Sequence, residues 1–568
     1  MKHELENALR EAVAQVAGEN DASGEIFPVV LTRPRQKEHG DYATSVAMAM
    51  ASGLKKNPRE IAARILELVR WPDVVDAAEI AGPGFINIRL KHASEAEVVR
   101  QVMREGAAYG HAGHGCGQKV NIEFVSANPT GPMHVGHGRG AVVGDALASV
   151  LATQGMDVHR EYYINDAGAQ IGMLAESVWV RARQLQGEDV DFPEGGYPGE
   201  YIVDIARTLL EKHDFSALAG MDAKERKVLI GAEAVAANMA MIRDDLKAIG
   251  IEFDTYFSER TLHESGQIGQ LIRKLTDDGL VYRGVLPPPK GKEVEDYRPV
   301  EQWLFRTTQF GDDVDRPLMK QDGTPTYFAA DIAYHADKHR RGFDRQIDVW
   351  GADHGGYVTR VQAAMKALTG RDGQPEIILV QMVNLTREGR PVRMSKRAGT
   401  FVTLREVVDE VGADAVRFNF LTRRADSQLD FDLEVAKQQS DENPVYYVQY
   451  AHARLCAIMR KAGEEGIVFA DVDDVDVSLL VSHEEKVLMT HLLAYPEMLA
   501  RAADRKEPYR VATYLMKLAG DMHSFYHKHR VISDDADLTQ ARLLLMKSVR
   551  QVIGNGLDLL GVHAPERM

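Results

Sequence analysis

"KVNIEFVSANPTGPMHVGHGRGAVVGDALASVLATQG", residues 119–155, decides the fold class. Over its first seven residues Val120, Ile122 and Phe124 alternate with Asn121 and Glu123, the period of a strand with one apolar face. The chain then turns through Asn128-Pro129-Thr130-Gly131-Pro132 and enters an apolar helix near His134. "VHREYYIND" (158–166), "IDVWGAD" (347–353) and "EIILVQMV" (376–383) read as further strands. Strands that alternate with helices predict a parallel, doubly wound sheet.

Outward from this core the pattern changes. Residues 1–110 read as a separate α+β module. "ELENALREAVAQVA" and "NPREIAARILELVRW" are helical by apolar spacing, the second with Asn57 as N-cap and Pro58 at its first position. "GPGFINIRL" is a strand after a turn, and the glycine-rich 105–118 is a linker whose His111 and His114 read as solvated loop. Residues 111–404 read as a Rossmann-like parallel-sheet domain with insertions at about 175–325. From about 405 everything is helical by pattern: a connecting segment, 405–440, then an all-α helical bundle, 441–568. The expectation is a multidomain α/β protein.

A chain of 568 residues is too long for one core. Its 45% hydrophobic and 27% charged residues are ordinary for a soluble globular protein. Cys116 and Cys456 are the two cysteines, too few for a disulfide framework or a cysteine zinc site, which points to a reducing cytosolic compartment. No secretory apolar region opens the sequence, and no run approaches the ~20 apolar residues of a membrane helix. A net charge of −16 argues against a general nucleic-acid coat while leaving room for local basic patches.

A helix start offers free N–H groups and a partial positive charge, suited to phosphate. His134 and His137, one turn apart there, place two imidazole donors beside it, and Gly136 leaves the backbone bare for a flat base. Some 260 residues later "RMSKRAG" (393–399) puts Ser395 and Lys396 in a loop between Gly389 and Gly399, where a lysine reaches phosphate oxygens. The pair, in this order, resembles the two signatures of class I aminoacyl-tRNA synthetases, His-x-Gly-His and Lys-Met-Ser-Lys-Ser. Arg393 and Arg397 replace the first lysine and last serine of the second motif, and Lys396 is kept.

A guanidinium has five donors and no acceptor, so its pocket needs carboxylates in bidentate reach. Glu123 lies on the polar side of the strand before the histidine motif, and Asp331 lies one helical turn after Tyr327, so that a ring and a carboxylate share a face. Asn128 stands five residues after Glu123. Beyond these, "YYINDAGAQI", "TYFAADIAYH", "VWGADHGGYV", "RMSKRAGTFVTL", "GADAVRFNFL" and "DENPVYYVQYAHAR" together resemble the arginyl-tRNA synthetase family, over almost the full length. The resemblance implies arginine binding by Glu123, Asn128, Tyr327, Asp331 and His354. It implies ATP binding by His134, Gly136, His137, Met394, Ser395 and Lys396, with His134, His137 and Lys396 catalytic. It further implies ATP carried with Mg²⁺, no structural metal, a tRNA partner, no DNA or membrane partner, and a cytoplasmic monomer. Basic runs at 33–37, 338–345, 386–397 and 527–530 are candidate tRNA contacts, as are Tyr446, Tyr447, Tyr450 and Arg454, since aromatic and arginine side chains stack on unpaired bases. The rival readings are a small-molecule nucleotidyltransferase, a non-catalytic RNA-binding derivative and a synthetase for another amino acid.

Overall fold

The computed structural model describes residues 2–20, 22, 27–32, 34, 39–113, 115–286, 300–392 and 402–568. The loop carrying Met394, Ser395 and Lys396 lies outside the described residues, as does His114. Contacts divide the chain into two compact units.

One unit comprises 1–109, 458–494 and 521–552. Its N-terminal part is a three-stranded antiparallel sheet in the order Tyr42–Thr44, Phe85–Leu90, Val75–Ala81, packed with helices Lys2–Gly18, Val46–Leu54 and Pro58–Leu68. Asn57 caps the last of these by accepting a 2.9 Å bond from the Arg59 N–H. Helix His92–Glu105 is tied within the same unit by Arg100, which donates to the carbonyls of Val472 and Val475.

The other unit, 110–457, 495–520 and 553–568, holds a five-stranded sheet in the order 376–380, 345–351, 119–123, 157–164, 255–258, parallel throughout. The first strand in the chain therefore lies at the centre, with the next two on one side and the last two on the other. The order reverses between Lys119–Glu123 and Arg345–Gly351, the crevice where open α/β sheets bind ligands. Helix Val135–Thr153 packs on the sheet so closely that a Cβ on Gly144 would meet Phe124 at 2.3 Å.

Three expectations are corrected. "EIILVQMV" is not one strand: Glu376–Val380 belongs to the main sheet, and Val383–Arg387 to a smaller one. The break falls where buried Arg139 takes the Gln381 carbonyl, together with those of Arg424 and Ser427. Segment 405–440 is not wholly helical, because Leu429–Asp432 pairs in parallel with Val383–Thr386. Its buried Leu429 and Phe431 alternate with Asp430 and Asp432, a period of two. Finally, the stretch 175–325 is not all insertion, since it contains Thr255–Ser258, an edge strand of the main sheet.

Candidate active site

Val125 and Ser126 leave the central strand with φ of 68° and 40°, left-handed values that a β-branched valine tolerates poorly. The kink folds Ser126 back over its own strand: its hydroxyl donates to Glu123 Oε1 at 2.8 Å and accepts from the Tyr163 N–H at 3.1 Å. Three long-range bonds pin the turn that follows. Tyr162 donates to the Ala127 carbonyl, Asn238 to that of Pro129 and Tyr201 to that of Thr130. Two of these partners come from the inserted helices Glu200–Lys212 and Ala223–Ala248, so the insertion positions the turn.

His134 is the N-cap of the Val135 helix. The two imidazoles stack at 3.6 Å, and each Nδ1 accepts a long bond from the other residue's backbone N–H, at 3.3 and 3.4 Å. Both protons are thereby directed to Nε2, leaving two ring N–H donors at the helix start. A Cβ on Gly136 would crowd the His134 ring at 3.0 Å. Thr403, just after the Lys396 loop, bridges to His134, and a Cβ on Gly138 would meet Leu404 at 2.5 Å. The chain that resumes after the second motif thus packs on the histidine motif through Thr403 and Leu404.

A cavity of about 390 Å³ opens at the crevice between the central strand and Arg345–Gly351. Glu123, Tyr327, Asp331 and His354 all line it, beside Tyr163 and Tyr357. Asn128 does not; it is exposed on the turn. Tyr327, 58% exposed, opens helix Tyr327–Arg340, and Asp331 follows one turn later. Tyr357 donates its hydroxyl to Asp331 Oδ2. Burial, with the Glu259 and Glu123 carboxylates behind it, raises Asp331 to about 7 against the pull of Tyr357 and Arg360. Tyr163, buried against Glu259, Asp331 and Glu123, has its hydroxyl pKa raised as well.

The two acids are not equivalent. Lys338, 0% exposed, donates to Glu123 Oε2 at 2.6 Å and to Asp348 Oδ1 at 2.8 Å. Burial opposes its charge, but Asp348, Glu123 and Glu161 outweigh that and keep it protonated. Glu123 therefore has both oxygens engaged, by Ser126 and Lys338. His335 beside it is held neutral by burial and by Lys338, its pKa lowered to about 3. The sequence reading missed Lys338, Tyr163 and Tyr357. Helical spacing carried a signal for the first: 331, 335 and 338 share the face of Tyr327.

Within the run 338–345 only part of the basic surface is open, at the exposed Arg340 and Arg341. Lys338 is buried, Arg341 forks to Glu161, Arg340 pairs with Asp337 and Arg345 with Glu376. In the Pro444–Glu464 helix the Tyr446 and Tyr450 rings stack at 5.9 Å, and the Arg454 guanidinium lies 4.8 Å from the Tyr450 ring centre. Tyr447 faces elsewhere, its hydroxyl against Gly520. Among the described residues no helix is long and apolar enough to cross a membrane.

Residues 3–90 match the arginyl tRNA synthetase N terminal domain, 98–191 the catalytic domain of class I (R) tRNA synthetases, and 448–568 the DALR anticodon binding domain. The chain is 48% identical over 577 residues to an arginine–tRNA ligase of Magnetococcus marinus, covering 100% of both. It is 50% identical over 561 residues to that of Nitrobacter winogradskyi, covering 95% of this chain and 93% of the relative. The solved Thermus thermophilus arginyl-tRNA synthetase shares the fold with a TM-score of 0.75 at 24% identity, covering 99% of this chain and 100% of that one. With the site's layout and full-length likeness in agreement, the chain belongs to the arginyl-tRNA synthetase family.

Proposed function

We propose that this chain activates L-arginine with ATP and transfers it to the 3′ end of its tRNA. The observation that carries the reading is the shared cavity of Glu123 and Asp331 at the sheet's reversal point, one turn of chain from the His134 helix start. The guanidinium lies against Asp331 and Tyr327, with Glu123 and His354 completing the wall. The arginine carboxylate attacks the α-phosphorus of ATP and pyrophosphate leaves; the terminal ribose hydroxyl then attacks the carbonyl carbon of the aminoacyl adenylate, the acyl–phosphate bond breaks and AMP leaves. No protein nucleophile is needed. The chain's part is to position the reactants and stabilise moving charge.

His134 and His137 donate through Nε2 to the phosphates, and Met394, Ser395 and Lys396 of the second motif are the further ATP contacts. Gly136 leaves room for the adenine, and Asn128 holds the amino-acid end at the rim. Mg²⁺ enters with ATP as its substrate complex. Residues 1–110 and 441–568 flank the 111–404 catalytic domain as tRNA-binding parts, and the Tyr446–Tyr450–Arg454 stripe stacks on unpaired bases. The protein works in the cytoplasm as a monomer. ATP-dependent charging of total tRNA with each of the twenty amino acids tests the reading: arginine alone is attached at catalytic rates, and charging with any other amino acid instead refutes it.

A further inference from the structure

Resting on that reading of the cavity, we propose that Tyr357, backed by Arg360, is the positioning residue that holds Asp331 for the substrate guanidinium. Tyr357 ends the short helix Ala352–Tyr357 that follows the strand Arg345–Gly351. Its hydroxyl occupies Asp331 Oδ2, so the carboxylate is fixed by a donor from outside its own helix. The tyrosine is itself wedged. Phe328 meets its ring edge-on at 6.2 Å, Trp350 lies at 6.2 Å, and the Arg360 guanidinium covers its face at 4.7 Å. Glu123, the other carboxylate lining the cavity among the described residues, has both oxygens engaged, by Ser126 and Lys338. Asp331 is thus the acid whose charge remains for an incoming cation, and Tyr357 takes one of its oxygens while leaving the other to the ligand. A hydroxyl donating to a carboxylate also favours the ionised form, the form a guanidinium binds.

The charged and titratable groups facing Asp331 are Glu259, Glu123, Tyr163, Tyr357, Arg360 and, in the cavity wall, His354. Of these, Tyr357 bonds it directly, so Tyr357 sets its orientation and favours its ionised form against the burial that raises its pKa.

Steady-state tRNA charging by the full-length protein tests this, with Tyr357→Phe, Arg360→Met and, as a control on the cavity itself, Asp331→Asn. Loss of a hydrogen bond to a charged group predicts a rise in arginine KM of about 10-fold or more in Tyr357→Phe. ATP KM stays within about twofold, and the pH midpoint of kcat/KM for arginine moves upward. Arg360→Met shifts the same quantities in the same direction by less, and melting curves check that both variants are folded. An arginine KM within twofold of wild type and an unmoved midpoint, while Asp331→Asn is crippled, would overturn the positioning role and leave the cavity standing. An unimpaired Asp331→Asn would overturn the cavity reading and this proposal together.

Discussion

Asp331 is asked for opposite things by folding and by function. Burial and neighbouring acids raise its pKa to about 7, which favours the neutral carboxyl. The ordinary value is ~3.9, and it applies in the unfolded chain. Between these limits the folded state binds the proton more tightly, so the group costs stability progressively as pH rises from about 4 to about 7. Asp331→Asn should therefore melt higher than wild type at pH 8, by roughly 1–3 kcal/mol, and the gain should vanish below pH 4. Melting curves at the two pH values check it, and equal curves at pH 8 refute it. Arginine use runs the other way. A guanidinium needs the anion, so kcat/KM for arginine should rise with pH through about 7 and then level off. A flat profile from pH 6 to 8.5 would show that Asp331 does not meet the substrate.

At the scale of elements, helix Tyr327–Arg340 does the work of three. One face reaches the cavity with Asp331, the next turns send Lys338 into the acids of three parallel strands, and the opposite face packs Phe328, Ala329 and Ile332 into an apolar cluster. Glu123, Asp348 and Glu161 sit side by side in register across those strands. Removing the cation they share leaves buried acids uncompensated, so Lys338→Met should cost about 3–5 kcal/mol in urea unfolding. A loss below 1 kcal/mol would mean the acids simply take up protons.

This helix also shows what sequence can and cannot reveal. Its period of 3.6 puts Tyr327 and Asp331 on one face, and the alternation in 119–125 puts Glu123 on the polar side of its strand. But the run 338–345 looks like a solvated basic patch in one dimension, because its partners Glu123, Glu161 and Glu376 come from strands distant in sequence. The same holds for the break in "EIILVQMV": Arg139, some 240 residues earlier, takes the carbonyl there. Tyr357 stands in "VWGADHGGYV", yet nothing local says that its hydroxyl meets Asp331.

Across the whole molecule the flanking parts are what separate a tRNA ligase from an enzyme of small molecules. The grip proposed for the Tyr446–Tyr450–Arg454 stripe is local and aromatic, on a protein whose net charge of −16 offers no broad basic field. Arg417, from the "DAVR" segment, braces its unit from within, bonding Asp145, the Ile249 carbonyl and the Leu560 carbonyl. The double variant Tyr450→Ala/Arg454→Ala should raise the tRNA KM by about 10-fold, the worth of one stacked base, with the arginine KM unchanged. Equal tRNA KM values would remove the stripe from the interface. The claim beneath all of this is that Asp331 selects the amino acid, and Asp331→Ala charging kinetics test it most directly. The arginine KM should rise by about 100-fold or more while the ATP KM stays within about twofold. An arginine KM within twofold of wild type would contradict it.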